Sequence, residues 1–269
     1  MYRKQIRQSW SVASAAIAVV LGLPVEHAEG QIPGAAEPQT DAAVYGQGVR
    51  PTDWQTPEQE RLGFHLPPDF EVRLFAAEPQ IAKPLNMAFD ARGQMWLTQS
   101  VEYPYPATDE DEASDAVMVL ADTDGDGLAD RVTRFADRLN IPIGVLPYGD
   151  GCLCFSIPNI WYLRDTDGDG ICDRREVVLG PFDTTRDTHG MINALRWGGD
   201  GWVYACHGFN NQSEVTGRDG HTVKMSSGNT FRFRPDGSRI EVVTHGQVNP
   251  FGMTEDDWGF RYSADCHSK

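Results

Sequence analysis

The hexapeptide Asp-Thr-Asp-Gly-Asp-Gly occurs twice in the chain, at Asp122–Gly127 and at Asp165–Gly170. Its three carboxylates are spaced two residues apart, and the glycines allow the sharp turn that brings them together. Calcium takes six to eight oxygen ligands, which the alternate side chains of such a loop can supply. The repetition therefore predicts calcium loops, and it also indicates that the chain is built from repeated units.

The second loop carries the fuller set of ligands. It offers Asp165, Asp167, Asp169 and Asp173, and Glu176 stands where a bidentate carboxylate completes the twelve-residue calcium pattern. The alternative is that Asp-Gly marks an ordinary hairpin turn and that the other carboxylates are solvated.

The first loop offers Asp122, Asp124, Asp126 and Asp130, but Thr133 occupies its last position. We therefore expect weaker binding there, or a further ligand from elsewhere in the chain. Short runs rich in β-forming residues flank both loops. They predict loops at the tips of β-hairpins rather than between the helices of an EF-hand.

Charge and the first residues indicate where the protein works. The 269-residue chain has a formal charge of −16, which excludes nucleic-acid binding through general electrostatics. Residues 1–30 have a basic start, the apolar stretch Val12–Leu23 and small residues before Gln31, as in a secretory signal. We expect a secreted or periplasmic protein. The alternative, a retained N-terminal anchor, would make it membrane-associated.

Two further segments follow the predicted signal. Residues 31–65 are rich in Pro, Gly, Gln and Ala and predict a flexible linker. Within it, Thr56 is a candidate N-cap and Pro57 suits the first position of a short helix. From residue 66 to 269 the pattern changes to repeated strands.

The repeat consists of an apolar strand, a turn with glycine and a second, alternating strand. Its key glycines are Gly93, Gly151, Gly201 and Gly259, which lie 58, 50 and 58 residues apart. A second hairpin follows each of the first three copies. Two hairpins per period make a four-stranded blade, so the sequence predicts an all-β fold, a β-propeller. About four blades are expected, with the ring incomplete.

Several motifs between residues 66 and 269 resemble the propeller of the membrane-bound dehydrogenase type found in planctomycetes and their relatives. That propeller is similar in turn to the soluble quinoprotein glucose and sorbosone dehydrogenases. The motifs that carry the resemblance are Leu66–Pro79, Thr188–Asn193, Asp200–Asn210, Asn249–Gly252 and Ser263–His267.

The resemblance implies oxidation of a sugar or alcohol hydroxyl, with calcium and pyrroloquinoline quinone as cofactors and a c-type cytochrome as electron acceptor. His189 matches the family's general base, and a histidine can take a hydroxyl proton near neutral pH. Asn249 matches the segment that approaches the cofactor. Asn193 and His207 complete the candidate cofactor-binding set.

Two departures from the family pattern leave other functions open. Val248 stands where the quinoproteins have an arginine, and Thr188 separates His189 from Asp187, whereas the family's base directly follows an aspartate. One alternative is a non-catalytic propeller that binds carbohydrate or protein, with structural calcium. Another is a lactonase-type hydrolase, with Asn193 and Asn249 among the ligands of a channel calcium.

Overall fold

The computed structural model describes residues 54–109 and 112–266, which fall into two compact units divided between Glu78 and Pro79. The predicted signal peptide, and the predicted linker as far as residue 53, lie outside the described residues. Within the described ranges, no helix is both long enough and apolar enough to cross a membrane.

The first unit contains one short helix, α1 (Pro57–Leu62). The Thr56 side chain accepts a hydrogen bond from the Gln59 N–H at 3.2 Å, and the Gln59 side chain accepts one from the Thr56 N–H at 2.8 Å. This reciprocal capping satisfies two N–H groups that a helix start leaves without partners. The predicted N-cap and first-position proline are thus confirmed.

The second unit is built from antiparallel strands. The first sheet consists of β1 (Pro84–Phe89), β2 (Met95–Gln99), β3 (Asp115–Ala121) and β4 (Arg131–Leu139), and the second of β5 (Val145–Tyr148), β6 (Gly151–Ser156), β7 (Asn159–Arg164) and β8 (Arg174–Leu179). The third consists of β9 (Ile192–Trp197), β10 (Val203–His207), β13 (Asn229–Phe233) and β14 (Ile240–Thr244). Two separate hairpins are β11 (Gln212–Thr216) with β12 (Thr222–Ser226), and β15 (Pro250–Glu255) with β16 (Arg261–Asp265).

These sheets are the blades of a β-propeller. Within each four-stranded sheet the strands lie in chain order, and the first strands β1, β5, β9 and β15 lie next to one another in turn. Each sheet therefore begins at the same inner position, as in a propeller. The predicted fold class is confirmed, with the β15–β16 hairpin representing the fourth blade. The β11–β12 hairpin, inserted between β10 and β13, was not predicted.

The repeated glycine turn takes the same form in three blades. Gly93, Gly201 and Gly259 have φ of 78°, 76° and 82°, a left-handed conformation that glycine adopts without strain. In the first blade the Asp90 carboxylate accepts the N–H groups of Arg92 and Gln94, both at 2.9 Å. In the second blade the left-handed glycine is Gly149, two residues before the predicted Gly151.

The core lies between neighbouring blades. One cluster joins the second and third blades and includes the fully buried Phe155, Phe231 and Phe233. Another joins the first blade to the second around Phe135 and Leu163. Because both faces of an inner blade are buried, its strands are apolar in long runs rather than strictly alternating.

A buried carboxyl group anchors the start of β3. Asp115 is 1 % exposed and accepts hydrogen bonds from the N–H groups of Val101 and Ile141, at 2.7 and 2.9 Å, and from the Ser100 hydroxyl. Burial, followed by the neighbouring Glu102 carboxylate, raises the pKa of Asp115 to about 7. The folded protein therefore holds a proton that the unfolded chain loses at lower pH.

The raised pKa of Asp115 predicts that the free energy of unfolding depends on pH. The contribution of Asp115 is fully present below about pH 4 and is lost as the pH rises towards 7, at up to about 1.4 kcal/mol per pH unit. Glu102→Gln removes the neighbouring charge and should flatten this part of the curve. Urea unfolding between pH 4 and 8 measures it, and the exposed Glu214→Gln is the control. Parallel curves for Glu102→Gln and the unmodified protein would contradict the assignment.

Candidate functional site

The first acidic loop connects β3 to β4. The carboxylate oxygens of Asp122, Asp124 and Asp126 lie within 4.8 Å of one another. Asp122 accepts the N–H groups of Gly125 and Gly127 at 2.7 and 2.8 Å. The Gly127 hydrogen bond is the main cause that lowers the pKa of Asp122. The loop therefore holds three carboxylates together at the exposed tip of a hairpin, as predicted from its flanks.

The second acidic loop, between β7 and β8, repeats this geometry. Asp165, Asp167 and Asp169 again have carboxylate oxygens within 4.8 Å of one another. Asp165 accepts the N–H groups of Gly168 and Gly170 at 2.7 and 2.9 Å. Oxygen ligands of this kind suit calcium, so the donor set of both loops fits that ion.

The later candidate ligands stand apart from these trios. Asp130 binds the N–H and hydroxyl groups of Thr123, and Asp173 binds those of Thr166. Each of these carboxylates therefore ties the end of its loop to the threonine at the second position of the hexapeptide. The Thr166 hydroxyl is the main cause that lowers the pKa of Asp173.

Glu176 lies in β8 and is paired with arginines. Its Oε1 is 3.1 Å from Arg164 and 2.8 Å from Arg174. The structure therefore brings together three of the five predicted side-chain ligands of the second loop. Glu176 is placed in the adjoining ion-pair network.

A histidine and an aspartate meet just before β9. His189 Nδ1 lies 3.0 Å from the Asp187 carboxylate, which also accepts the Gly190 N–H at 2.8 Å. The Asp187 side chain is 15 % exposed and that of His189 is 58 % exposed. An aspartate on Nδ1 orients the ring and leaves Nε2 free to accept a proton. The additional residue Thr188 thus does not prevent the pairing.

The surroundings of His189 come from distant parts of the chain. The Tyr103 ring lies edge-on to the His189 ring, with centroids 5.8 Å apart, and the Thr188 hydroxyl donates to the Pro104 carbonyl at 2.6 Å. Burial raises the pKa of Tyr103, and the charges of Asp187 and Cys266 add to this effect. Sequence reasoning missed Tyr103, because contacts across more than eighty residues leave no local pattern.

Asn249 reaches the same end of the blades. Its Oδ1 accepts the Phe209 N–H at 3.1 Å, and its Nδ2 lies 2.9 Å from Cys266 Sγ. A Cβ atom on Gly190 would come within 2.5 Å of Asn249 Oδ1, so only glycine fits between His189 and the asparagine. Asn249 therefore lies beside Gly190, the residue that follows His189.

Asn193 and His207 are placed inside the protein. Asn193 is fully buried and donates to the carbonyls of Met191 and Pro250, each at 3.1 Å. His207 is 1 % exposed and its Nε2 lies 2.8 Å from Ser213 Oγ. Burial lowers the pKa of His207 to about 4, so the ring is neutral at neutral pH. Both side chains are placed to hold strands, not at the surface beside His189.

The environment of His189 supplies few positive charges. In the described part of the chain, the side chains that bond to or pack against His189 and Asn249 are Asp187, Tyr103, Asp265 and Cys266. None of these is cationic. Lys83 lies 5.9 Å from the Tyr103 ring centre, but its ammonium already donates to backbone carbonyls. These residues do not fit the carboxylates of pyrroloquinoline quinone.

Fold and site together define a propeller with acidic hairpin loops and a His–Asp pair at the start of an inner strand. The family model described as "Domain of unknown function (DUF7133)" matches residues 56–269, and the chain belongs to this family. No curated protein matches the chain.

Among solved structures, one similar chain is XC5397 from Xanthomonas campestris, described as a gluconolactonase important in glucose secondary metabolic pathways. It is 17 % identical, with a TM-score of 0.42. The match covers 73 % of this chain and 59 % of the gluconolactonase, so it spans less than two thirds of that protein.

The buried asparagine generates a prediction about stability. Asn193→Ala removes the side-chain donor from the Pro250 carbonyl and one of two donors from the Met191 carbonyl, which keeps the Gly208 N–H, and it creates a cavity between β9 and β15. We expect a loss of about 2–4 kcal/mol in the free energy of unfolding. Urea denaturation measures it, with Glu214→Ala, at an exposed strand position, as control. A loss below about 0.5 kcal/mol would show that Asn193 does not tie the blades.

Proposed function

We propose that this protein is an exported, calcium-binding propeller that oxidises a hydroxyl group of a sugar or alcohol and passes the electrons to a downstream acceptor such as a c-type cytochrome. The observation that carries the proposal is the Asp187–His189 pair, which leaves His189 Nε2 exposed at the end of the blades where Asn249 also lies. The resemblance to quinoprotein dehydrogenases, which have their base at this place, supports it.

His189 is the proposed general base. Asp187 fixes the ring through Nδ1 and stabilises the imidazolium that forms when Nε2 takes the hydroxyl proton. Tyr103 packs against one edge of the ring and limits its rotation. Calcium would be held by the two aspartate trios, where it neutralises carboxylates that otherwise repel one another. Because the residues near His189 do not fit the quinone, no step is assigned to it.

A second candidate function is a carbohydrate-binding propeller without catalysis, in which calcium is purely structural. The observation that favours it is the missing cation beside His189, including Val248 at the position of the family's arginine. Under this alternative the Asp187–His189 pair would bind a hydroxyl group as acceptor and donor. The two candidates make different predictions for His189 variants.

The catalytic prediction is tested by dye reduction with sugars and alcohols, in the presence of calcium and with or without added quinone. His189→Ala should lower the turnover number by about 10²–10⁴ while changing KM little, because a general base contributes in this range. Asp187→Asn should have a smaller effect, because the ring loses its orientation but keeps Nε2. The exposed His221→Ala is the control.

Absence of dye reduction under all these conditions, with sugar binding intact in His189→Ala, would reject the dehydrogenase and leave the binding protein. A turnover number that is the same in His189→Ala and the unmodified protein would reject His189 as the base.

The calcium prediction is tested by chelation. Removing calcium should lower the midpoint of thermal unfolding, because the carboxylates of each trio then repel one another. Asp167→Asn combined with Asp169→Asn should remove one bound calcium per chain, counted by calorimetric titration. Asp109→Asn, an aspartate outside both loops, is the control. An unchanged calcium stoichiometry in the double variant would contradict the assignment.

A further inference from the structure

A cleft of about 880 Å³ lies between the first and second blades. The β1–β2 turn, the β5–β6 turn and the second acidic loop line it, and Trp197 reaches it from the third blade. His189 precedes β9, whereas Trp197 is the last residue of that strand. The cleft therefore lies at the opposite end of the blades from His189 and is a separate site.

One wall of the cleft is aromatic. The Tyr148 ring packs between Tyr162 and Trp197, with centroid distances of 4.9 and 5.8 Å. Trp197 is 41 % exposed and Phe89, also in the lining, is 49 % exposed. Rings held in place by other rings and open to solvent are suited to stacking against the apolar face of a ligand.

Two fixed carboxylates supply hydrogen-bond acceptors. Asp150 is held by Arg164 at 2.7 Å and by the Tyr162 hydroxyl at 2.5 Å. Asp90, fastened by the β1–β2 turn, accepts from Trp96 Nε1 at 3.3 Å. Such carboxylates can accept hydrogen bonds from hydroxyl groups.

A guanidinium group without a carboxylate partner lines the same cleft. With the Gln94 amide oriented to satisfy both of its neighbours, its oxygen accepts from Arg131 at 3.0 Å and its nitrogen donates to Asp90 at 3.1 Å. Across residues 79–109 and 112–266, no carboxylate forms an ion pair with Arg131 or with Arg92, which also lines the cleft. The planar fork of an arginine matches a carboxylate in two parallel hydrogen bonds.

We propose that this cleft binds an acidic sugar, such as a uronic or aldonic acid, whether free or at the end of a polysaccharide. The ring or carbon chain packs on Trp197 and Tyr148, the hydroxyl groups donate to Asp90 and Asp150, and the carboxylate pairs with Arg131. This inference goes beyond the proposed oxidation at His189, and it uses none of the same residues.

The charges of the cleft distinguish an acidic sugar from cationic and neutral sugars. Asp165 and Asp169 of the second acidic loop also line the cleft, and the calcium proposed there would offset their charge. With that loop loaded, a cationic sugar would meet Arg131 and Arg92 as like charges, which costs free energy in a partly enclosed cleft. A neutral sugar would pack on the rings but would leave the Arg131 guanidinium with only the Gln94 amide. The acidic sugar satisfies the rings, the carboxylates and the guanidinium together.

The test is calorimetric titration of the complete chain in calcium-containing buffer. The probes are galacturonate, galactose and 6-amino-6-deoxygalactose, together with the corresponding glucose series, because the cleft does not fix the stereochemistry. In at least one series the acid should bind at least tenfold more tightly than the neutral sugar, and the amine should bind least. Arg131→Gln should remove this preference and leave the neutral sugar unchanged, while Trp197→Ala should weaken both.

Arg134→Gln removes the same charge from the same strand outside the cleft and should bind the acid normally. Arg131→Lys keeps the charge without the fork and should retain part of the preference. Thermal unfolding checks that each variant is folded. Equal affinity for acid and neutral sugar, tighter binding of the amine, an acid affinity unaffected by Arg131→Gln, or no binding in either series would overturn the proposal. None of these results depends on activity at His189.

Discussion

The contact between successive inner strands is the constraint on which the other features depend. A single blade is not stable alone, because both faces of its sheet are apolar and must be covered by the neighbouring blades. Packing brings the sheets together, and side-chain amides then fix how far one inner strand slides along the next. Asn86 accepts the Gly144 N–H at 2.7 Å between the first and second blades. Asn193 links the third and fourth blades in the same way, since its Nδ2 donates to the Pro250 carbonyl and its Oδ1 accepts the Gly252 N–H.

These amide contacts decide what meets at the start of the inner strands. Asn193 donates to the Pro250 carbonyl, and Asn249 is the preceding residue. Its register relative to β9 is therefore set by a buried hydrogen bond one residue away. The Phe209 N–H, from the end of β10, completes the same corner by donating to Asn249. The position of Asn249 beside Gly190 is thus a consequence of blade packing, not of loop conformation.

Local chemistry explains which features the sequence could predict. Three features depend on residues within about seven positions of one another: the acidic loops, the helix cap at Thr56 and the glycine turns. Their patterns can therefore be recognised in the sequence. The repeat of those turns was enough to predict blades. The β11–β12 hairpin has no glycine turn in the repeat's register, and it interrupts the third blade without changing the pairing of β10 with β13.

The candidate site was predicted less completely, since its contacts link distant segments. His189 and Asn249 were found through a resemblance, but nothing in the sequence indicated that Tyr103 packs on the histidine. The burial of His207 and Asn193 was also not visible, because a polar residue in a strand is usually on a solvated face. Here each has a partner inside the blade, the Ser213 hydroxyl for the histidine and backbone carbonyls for the asparagine. A buried polar side chain with such partners stabilises a register instead of meeting a ligand.

The two ends of β9 are held apart by the strand itself. Six residues, at about 3.3 Å per residue, separate the region of His189 from the region of Trp197 by roughly 15–20 Å. A paired strand does not shorten, so a small ligand at one end does not touch the other. Coupling between the ends would have to pass through the packing of whole blades. The blades are joined by buried amides and aromatic side chains, and such a packed core resists deformation. We therefore expect a ligand bound at one end to leave the other end unchanged.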